Sequence, residues 1–405
     1  MKIHFWSSTE YSGFLESLTR ELKEHGFNAR QRYQISEVSY RAAKSPLARL
    51  WLRVRQYLIY PVQVLVSLLW DRLRGRNADV CVVNTNTFYV PLLATYLHPN
   101  VVHLLYDLFP EALIHAGKWR EDSCKVECVR WITKKTLQRA KVNVFLGQRL
   151  KDYVESIHGV VDHSVIIEVG APKALFGNME SMRTAERLKA EGNEGMSIKT
   201  LYSGNFGHLH DSATLFRFWK EGAEGMNSEE GGMKEVFFKL EWLFYCSGPK
   251  RNDLIQLREQ LPDTLKKQIV VGEGLPQEAW IKTMESVDIA LVTMAPGSET
   301  VVMPSKTYSA MMAGQAILAI APEASDLVDL IKVADCGWWV EPGDSEGLEQ
   351  TLKLICSDTD KLLEKCENAY NYAHEHLGQD SLAKKWIELF EGFQSLLEVH
   401  SSEQK

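Results

Sequence analysis

The sequence lacks the marks of several protein classes at once. No apolar run is long enough to cross a bilayer. The longest, Tyr57–Trp70, is interrupted by Pro61, Gln63 and Ser67 and falls short of the ~20 residues a span needs. The opening MKIHFW leads directly into a helical pattern without an apolar leader core, so no secretory signal is expected. No two cysteines have the close CxxC spacing of a zinc site. The seven cysteines (Cys81, Cys124, Cys128, Cys246, Cys336, Cys356, Cys366) are odd in number and scattered, which argues against a disulfide framework and for a reducing, cytoplasmic compartment. Cys124 and Cys128, one helical turn apart, are expected to be buried or idle thiols. Positive charge is also short: 46 Lys and Arg against 53 Asp and Glu leave −7, so nucleic acid is not an expected partner.

What remains is an ordinary globular composition, with 45% hydrophobic and 24% charged residues. At 405 residues, two domains are the natural expectation. Short β-branched runs alternate with helical patterns. Lys2–Trp6, Val80–Val83, Val101–Tyr106, Val142–Leu146 and Val165–Val169 read as strands, and Phe14, Leu15, Leu18 and Leu22 recur at helical spacing. A polar stretch from Glu180 to Ser197 reads as a linker. The alternation then restarts at Thr200–Tyr202, Leu240–Cys246, Gln268–Val271, Ile289–Thr293 and Ile317–Ile320. The Gly- and Glu-rich Glu221–Glu235 reads as a solvated loop, and Asp380–Val399 as an amphipathic helix. The fold class is therefore α/β, with two doubly wound units. Open sheets of this kind bind ligands beyond the carboxyl ends of their strands, so the loops after strands are the places to look.

Four such segments stand out. In Leu201–Gly207, YSGNFG follows a strand. Gly204 and Gly207 allow backbone closed to other residues, and a glycine turn opening a helix presents free N–H groups to phosphate. The spacing is not G-x-G-x-x-G, and glycine in a tight turn also has a purely steric reading. In Met303–Gly314, Pro304 suits a helix's first turn, Ser305 can cap it and Gly314 suits its end. Lys306 is the odd member, because a cation in the first turn opposes the dipole by ~0.3–1 kcal/mol unless an anion binds there. The plainer reading is a lysine in solvent. Lys250 and Arg251 follow a strand after Ser247-Gly248-Pro249, either as anion ligands or as a solvated loop. Asp107, in YDLFPE, lies where strand becomes loop and could face an acceptor hydroxyl or cap the next helix. His4, His103 and His115 show no metal-ligand spacing and are read as core or cleft residues.

Together these segments resemble the retaining nucleotide-sugar glycosyltransferases of the GT-B fold, family four, in the branch that builds bacterial exopolysaccharide and O-antigen of the colanic-acid type. YSGNFG matches that family's GNxG turn. DLFPE matches a first-domain segment, and PSK-x-Y-x-x-M-x-AG before ILAIAP, with CGWWVEPGD after it, is the most specific part. The resemblance implies two Rossmann-like domains facing across a cleft: residues 1–180 on the acceptor side, 198–378 for the nucleotide-sugar donor, and a helix 380–399 returning to the first domain. It implies that Gly13, Gly204, Asn205, Gly207, Lys250, Pro304, Ser305, Thr307 and Ser309 contact the donor. Gly274 and Leu275, within the loop Gly272–Pro276, would flank the base. Lys306 would meet the leaving diphosphate and Asp107 would act on the acceptor side. The sequence departs from the family where two glutamates eight apart are common: Val301 and Ser309 stand there, with Glu299 nearby. It departs again after the glycine turn, where Asn205 and His210-Asp211 replace an Arg and a Lys. These changes shift the phosphate burden to Lys306 and Lys250.

The resemblance further implies a metal-independent hexosyltransferase that needs no cofactor beyond its nucleotide-sugar substrate. It would act with retention on a carbohydrate or lipid-linked acceptor in surface polysaccharide or glycolipid synthesis. No carboxylate pair suggests a nucleophile and acid. From Arg41 to Arg76, eight cations face the single acid Asp71, interleaved with Trp51, Leu52, Tyr57, Leu58, Ile59 and Trp70. Such a segment suits an anionic membrane surface, giving a cytoplasmic protein peripheral at the inner membrane face. A solvated basic helix edge is the plainer reading. Two other functions share the architecture: a nucleotide-sugar epimerase and a catalytically silent subunit.

Overall fold

Residues 1–10, 14–36, 38–39, 43, 45–172, 176, 197–225, 232–301 and 304–403 are described by a computed structural model. The β-branched runs become strands because they can be covered on both faces: Val80–Asn84 and Val101–Leu105 are buried at every position. The first sheet holds β1 Lys2–Thr9, β2 Asn28–Ile35, β3 Val80–Asn84, β4 Val101–Leu105, β5 Val142–Phe145 and β6 Ser164–Ile166. Its order is β2-β1-β3-β4-β5-β6, every pairing parallel. The second holds β7 Ile198–Asn205, β8 Leu240–Ser247, β9 Ile269–Gly272, β10 Ile289–Thr293, β11 Ala316–Ile320 and β12 Gly337–Val340. Its order is β12-β11-β10-β7-β8-β9, again all parallel. Numbered from β7, that is the 3-2-1-4-5-6 order of a dinucleotide-binding sheet, with its switch point between β7 and β10. The first sheet instead reverses between β1 and β3, as flavodoxin-type sheets do.

The chain divides into two units, Met1–Val169 with Gln379–Lys405, and Gly170–Gly378. The first unit therefore ends at Val169 and not at 180. The linker expected from Glu180 falls on residues 177–196, outside the described residues. In the first unit, the closing helix Gln379–Glu403 lays Trp386 and Phe390 edge-on to Phe5, with ring centroids 5.9 and 6.3 Å apart. In the second, Trp219 and Trp242 pack edge to face at 5.6 Å inside an aromatic core with Phe218 and Phe244.

Several expectations need correction. β2 was missed because Asn28–Ile35 carries Arg30, Gln31, Arg32 and Gln34, the polar pattern of an edge strand. β12 was missed because it is short. Its Gly337 is required, since a Cβ there would overlap the Ile317 carbonyl of β11. Glu221–Glu235 is no solvated loop where it is described: the helix Ala213–Gly225 runs into its start, and Gly232–Lys239 is helical with Val236 and Phe237 buried. Cys124 and Cys128 are exposed, whereas the other five thiols are buried, all seven free. His115 ends the helix Glu111–His115 on the surface, while His4 and His103 are buried.

Candidate active site

Three chain segments meet at the switch point of the second sheet. β7 itself runs through Gly204 and Asn205, paired with Cys246 and Ser247 of β8, and Gly204 has a φ of 125°, open to glycine and strained for any other residue. Phe206 N–H then donates to the Ser247 carbonyl at 2.6 Å, and Lys250 N–H returns to the Phe206 carbonyl at 3.2 Å. This ties the loop after β7 to the loop after β8. The crossing is close enough to demand Gly248 (φ 104°): a Cβ there would lie 2.7 Å from the Phe206 carbonyl and overlap the Asn205 side chain. The loop is also tied to the end of β10. His210 Nδ1 bonds the Thr293 carbonyl at 2.8 Å, and Ala295 N–H donates to the Leu209 carbonyl at 2.9 Å. Asp211 accepts from Thr214 N–H at 3.1 Å, capping the helix Ala213–Gly225.

The helix Lys306–Met312 follows from the other side. Ser305 occupies its N-cap position, but its side chain makes no cap and is exposed. Pro304 lies outside the helix, accepting from Thr307 N–H at 3.0 Å. Gly314 ends it as expected: at φ 73° it donates to Met311 while Gln315 N–H reaches the Ala310 carbonyl, the paired bonds of a Schellman motif.

Lys306 does not point into solvent. Its Nζ sits 3.7 Å from the centre of the Tyr202 ring and is buried without a hydrogen-bond partner. The ring's negative face supplies partial compensation, yet burial still pushes the ammonium down to about 7. Tyr202 also donates its hydroxyl to the Asn205 carbonyl at 2.9 Å. One side chain therefore joins the glycine turn to the lysine. Thr307 Oγ1, Thr293 Oγ1 and Glu299 Oε2 are buried and unpartnered too, and unmet buried polar groups are costly unless something satisfies them. Burial and the nearby charge of Lys306 hold His210 down to about 3, so its imidazole is neutral. Lys250 donates from Nζ to the His210 carbonyl, which holds it beside the same loop with further N–H donors to spare.

A cavity of about 60 Å³ opens beside Lys306, lined by Ser203, Trp280, Met284, Ser309 and Gln315 among others. The sequence reading included Ser309 but missed Trp280, whose Nε1 donates to Ser203 Oγ at 3.1 Å. Its only sequence signal is an isolated tryptophan in the otherwise mixed QEAWIKTME. Gly274 and Leu275 lie in the loop leading into that helix, Gln277–Glu285, with Gly274 exposed. Gly207 is buried against the Asn205 amide. Gly13 lies outside the described residues.

Asp107 belongs to the first unit. Its backbone N–H and that of Tyr106 donate to Thr85 Oγ1 at 3.3 and 3.1 Å. It does not cap the next helix, which starts after Pro110 without a side-chain cap. Its carboxyl, pushed up to about 6 by burial, lines a small cavity with His103, Phe88 and Thr133. Burial lowers His103 to about 4, and its Nδ1 pairs with Asn143 Oδ1 at 2.9 Å. Nearby Glu111, not singled out from sequence, is buried and held by Arg130 at 2.8 Å. Among the described residues, no group of three or more His, Cys, Asp or Glu is placed to hold a metal.

No family model matches the chain. A protein of Pseudomonas aeruginosa described as the probable glycosyltransferase WbjE is 24% identical over 288 residues, covering 70% of this chain and 67% of that protein. Among solved structures, sucrose-phosphate synthase of Thermosynechococcus elongatus superposes with a TM-score of 0.71 at 13% identity, covering 98% of this chain and all of that one. The Anabaena protein HepE in complex with UDP-glucose superposes at 0.66 with 15% identity, over 97% of this chain and all of that one. These likenesses establish the architecture as the GT-B fold.

Proposed function

We propose that the chain is a glycosyltransferase that moves a sugar from a nucleotide-diphosphate donor to an acceptor hydroxyl, with retention and without a metal. The acceptor is a carbohydrate or a lipid-linked sugar. The setting is bacterial surface polysaccharide or glycolipid synthesis, on the cytoplasmic side, with peripheral contact to an anionic membrane through residues 41–76. One observation carries the reading. A buried ammonium without a hydrogen-bond partner, Lys306, sits beside a glycine turn at the strand switch point. The likeness to a probable glycosyltransferase and to a protein solved with UDP-glucose supports the substrate class.

The chemistry follows from charge. Breaking the bond from anomeric carbon to diphosphate builds negative charge on the leaving oxygen. An ammonium already desolvated and unpaired meets that charge with little reorganisation. Gly204, Asn205 and Gly207 bring backbone close to the phosphates, with Ser305 and Thr307 beside Lys306. Ser309 and Trp280 line the adjoining cavity, and Gly274 and Leu275 flank the base. Asp107 serves the acceptor side, while the leaving phosphate takes the acceptor's proton on the same face of the sugar.

The test is a nucleoside diphosphate panel read by thermal shift, followed by turnover of the matching nucleotide sugar. At least one diphosphate should stabilise the chain, by about 2.7 kcal/mol at a hundred times its Kd. Lys306→Ala should fold and lose roughly 10²–10³ in kcat. Near-normal turnover in that variant would remove Lys306 from the chemistry. Donor breakdown without acceptor product would point to an epimerase, and no stabilisation by any diphosphate to a silent subunit.

A further inference from the structure

One long helix of the first unit has two faces of opposite character. It runs without a break through Pro46–Val54, a π turn at Arg55–Ile59, and Tyr60–Leu73, about 40 Å at 1.5 Å per residue. Its inner face, Tyr60, Pro61, Val64 and Leu68, is buried against Trp6, Cys81 and Val90. Its outer face is apolar and bare. Leu47 is 78% exposed, Trp51 56%, Leu58 64%, Val62 57%, Val66 58% and Leu73 81%. Leu50, Leu69 and Trp70 widen the same stripe, and the first half, Pro46–Val54, buries no residue at all. Contiguous apolar surface of this extent marks an interaction site.

The π turn keeps that stripe straight. From Val54 the stripe steps by four to Leu58, Val62 and Val66. In an uninterrupted α-helix each such step over-rotates by about 40°, and three would carry the stripe toward the buried face. Tyr60 N–H donating to the Arg55 carbonyl, an i→i+5 bond, takes up one residue, about 100° of rotation. Leu47 and Leu73 consequently end on one line.

Charge identifies what the stripe meets. Arg49 and Arg53 are exposed at one end, and Arg72, Arg74 and Arg76 at the other. The Arg74 guanidinium stacks over Trp70 at 4.2 Å. The one acid between Pro46 and Leu73 is Asp71, which pairs with Arg32 at 3.4 Å. This cationic rim belongs to a chain of net charge −7. A second copy docked on the same face would set arginines against arginines. No helix among the described residues is long and apolar enough to cross a membrane.

We infer that Pro46–Leu73 lies flat on an anionic lipid surface, its apolar stripe sunk into the headgroup–acyl boundary and its arginines among the phosphates. This names, within the peripheral contact proposed above, the face that inserts. It uses nothing from the nucleotide site, so either can fail alone.

The test is flotation of the intact chain with vesicles of phosphatidylcholine and phosphatidylglycerol, three parts to one, against phosphatidylcholine alone. The chain should float with the anionic vesicles at low salt, float poorly with the neutral ones, and be released by added salt. Leu58→Ser with Val62→Ser, and separately Arg49→Glu with Arg53→Glu, should each lower binding roughly ten-fold or more. Unfolding temperatures should stay unchanged, since all four side chains lie outside the core. Leu47→Ser, on the half that buries nothing, gives a second apolar variant should the double one unfold. Lys361→Glu, exposed on the other unit, should float like the parent chain. Failure of the parent chain to float with anionic vesicles would overturn the inference, as would stripe variants that float normally. A dimer that stripe variants dissociate, with no response to lipid, would overturn it too.

Discussion

At the scale of single residues, Lys306 and Asp107 are both held away from their ordinary ionisation, in ways that favour function over stability. The Lys306 ammonium is lowered to about 7, whereas an unfolded lysine titrates near 10.4. Between those values the unfolded chain holds the extra proton. Stability should therefore rise with pH from 7 toward 10, opposite to the behaviour of a paired lysine. Lys306→Met should remove that slope and stabilise the chain at pH 7 by on the order of 1 kcal/mol or more, measured by denaturant unfolding across pH. Asp107, raised to about 6 by burial, has the converse sign. Its folded form binds the proton more tightly, so its contribution is present below the unfolded value near 3.9 and is lost as pH rises through 6. Asp107→Asn should stabilise at neutral pH. If the carboxylate serves the acceptor, the variant should also lose the acid limb of the kcat profile near pH 6 along with most of its rate. The oddity of Lys306 was legible from sequence, as a cation in a helix's first turn. Its partner was not: Tyr202 is far away in the chain, and only the tertiary fold lays its ring under the ammonium. Lys250 is a similar case. Its type and loop suggested an anion ligand, but its bond to the His210 carbonyl could not be read from sequence.

At the scale of elements, glycine positions fix how loops pass one another. Gly248 has φ 104°, and the Phe206 carbonyl lies 2.7 Å from where a Cβ would stand. Gly248→Ala should therefore cost roughly 1–3 kcal/mol and weaken nucleotide binding, because it pushes apart the loops after β7 and β8. Thermal unfolding and nucleotide titration of that variant would show both losses together. Gly337→Ala strikes β12 against β11 but lies away from the turn, and should lower stability while sparing nucleotide affinity. Strands with continuous β-branched runs, such as Val80–Asn84 and Ile289–Thr293, could be read directly, since burial on both faces leaves them uniformly apolar. β2 could not, because an edge strand keeps one side for solvent and carries arginines that look like loop. The helix Gly232–Lys239 was hidden for a similar reason, as its opening is glycine- and glutamate-rich, while Val236 and Phe237 are buried.

At the scale of the whole molecule, two parallel sheets with different strand orders place the candidate donor site and Asp107 on separate units. The alternation of strands and helices was enough to expect two doubly wound units. The strand orders were not readable, because sequence gives the succession of strands and not their neighbours in space. The second order is the informative one, since it sets the ends of β7 and β10 side by side and gathers the glycine turn, Tyr202 and Lys306 there. The central claim is that this cluster awaits a diphosphate. It is tested most directly by calorimetric titration of the matching nucleoside diphosphate into the chain at pH 8, in two buffers of different ionisation enthalpy. Binding should take up close to one proton, as the neutral Lys306 becomes charged against the phosphates, and Lys306→Met should bind at least ten-fold more weakly with no such uptake. Equal affinity and equal proton uptake in the two proteins would contradict the claim.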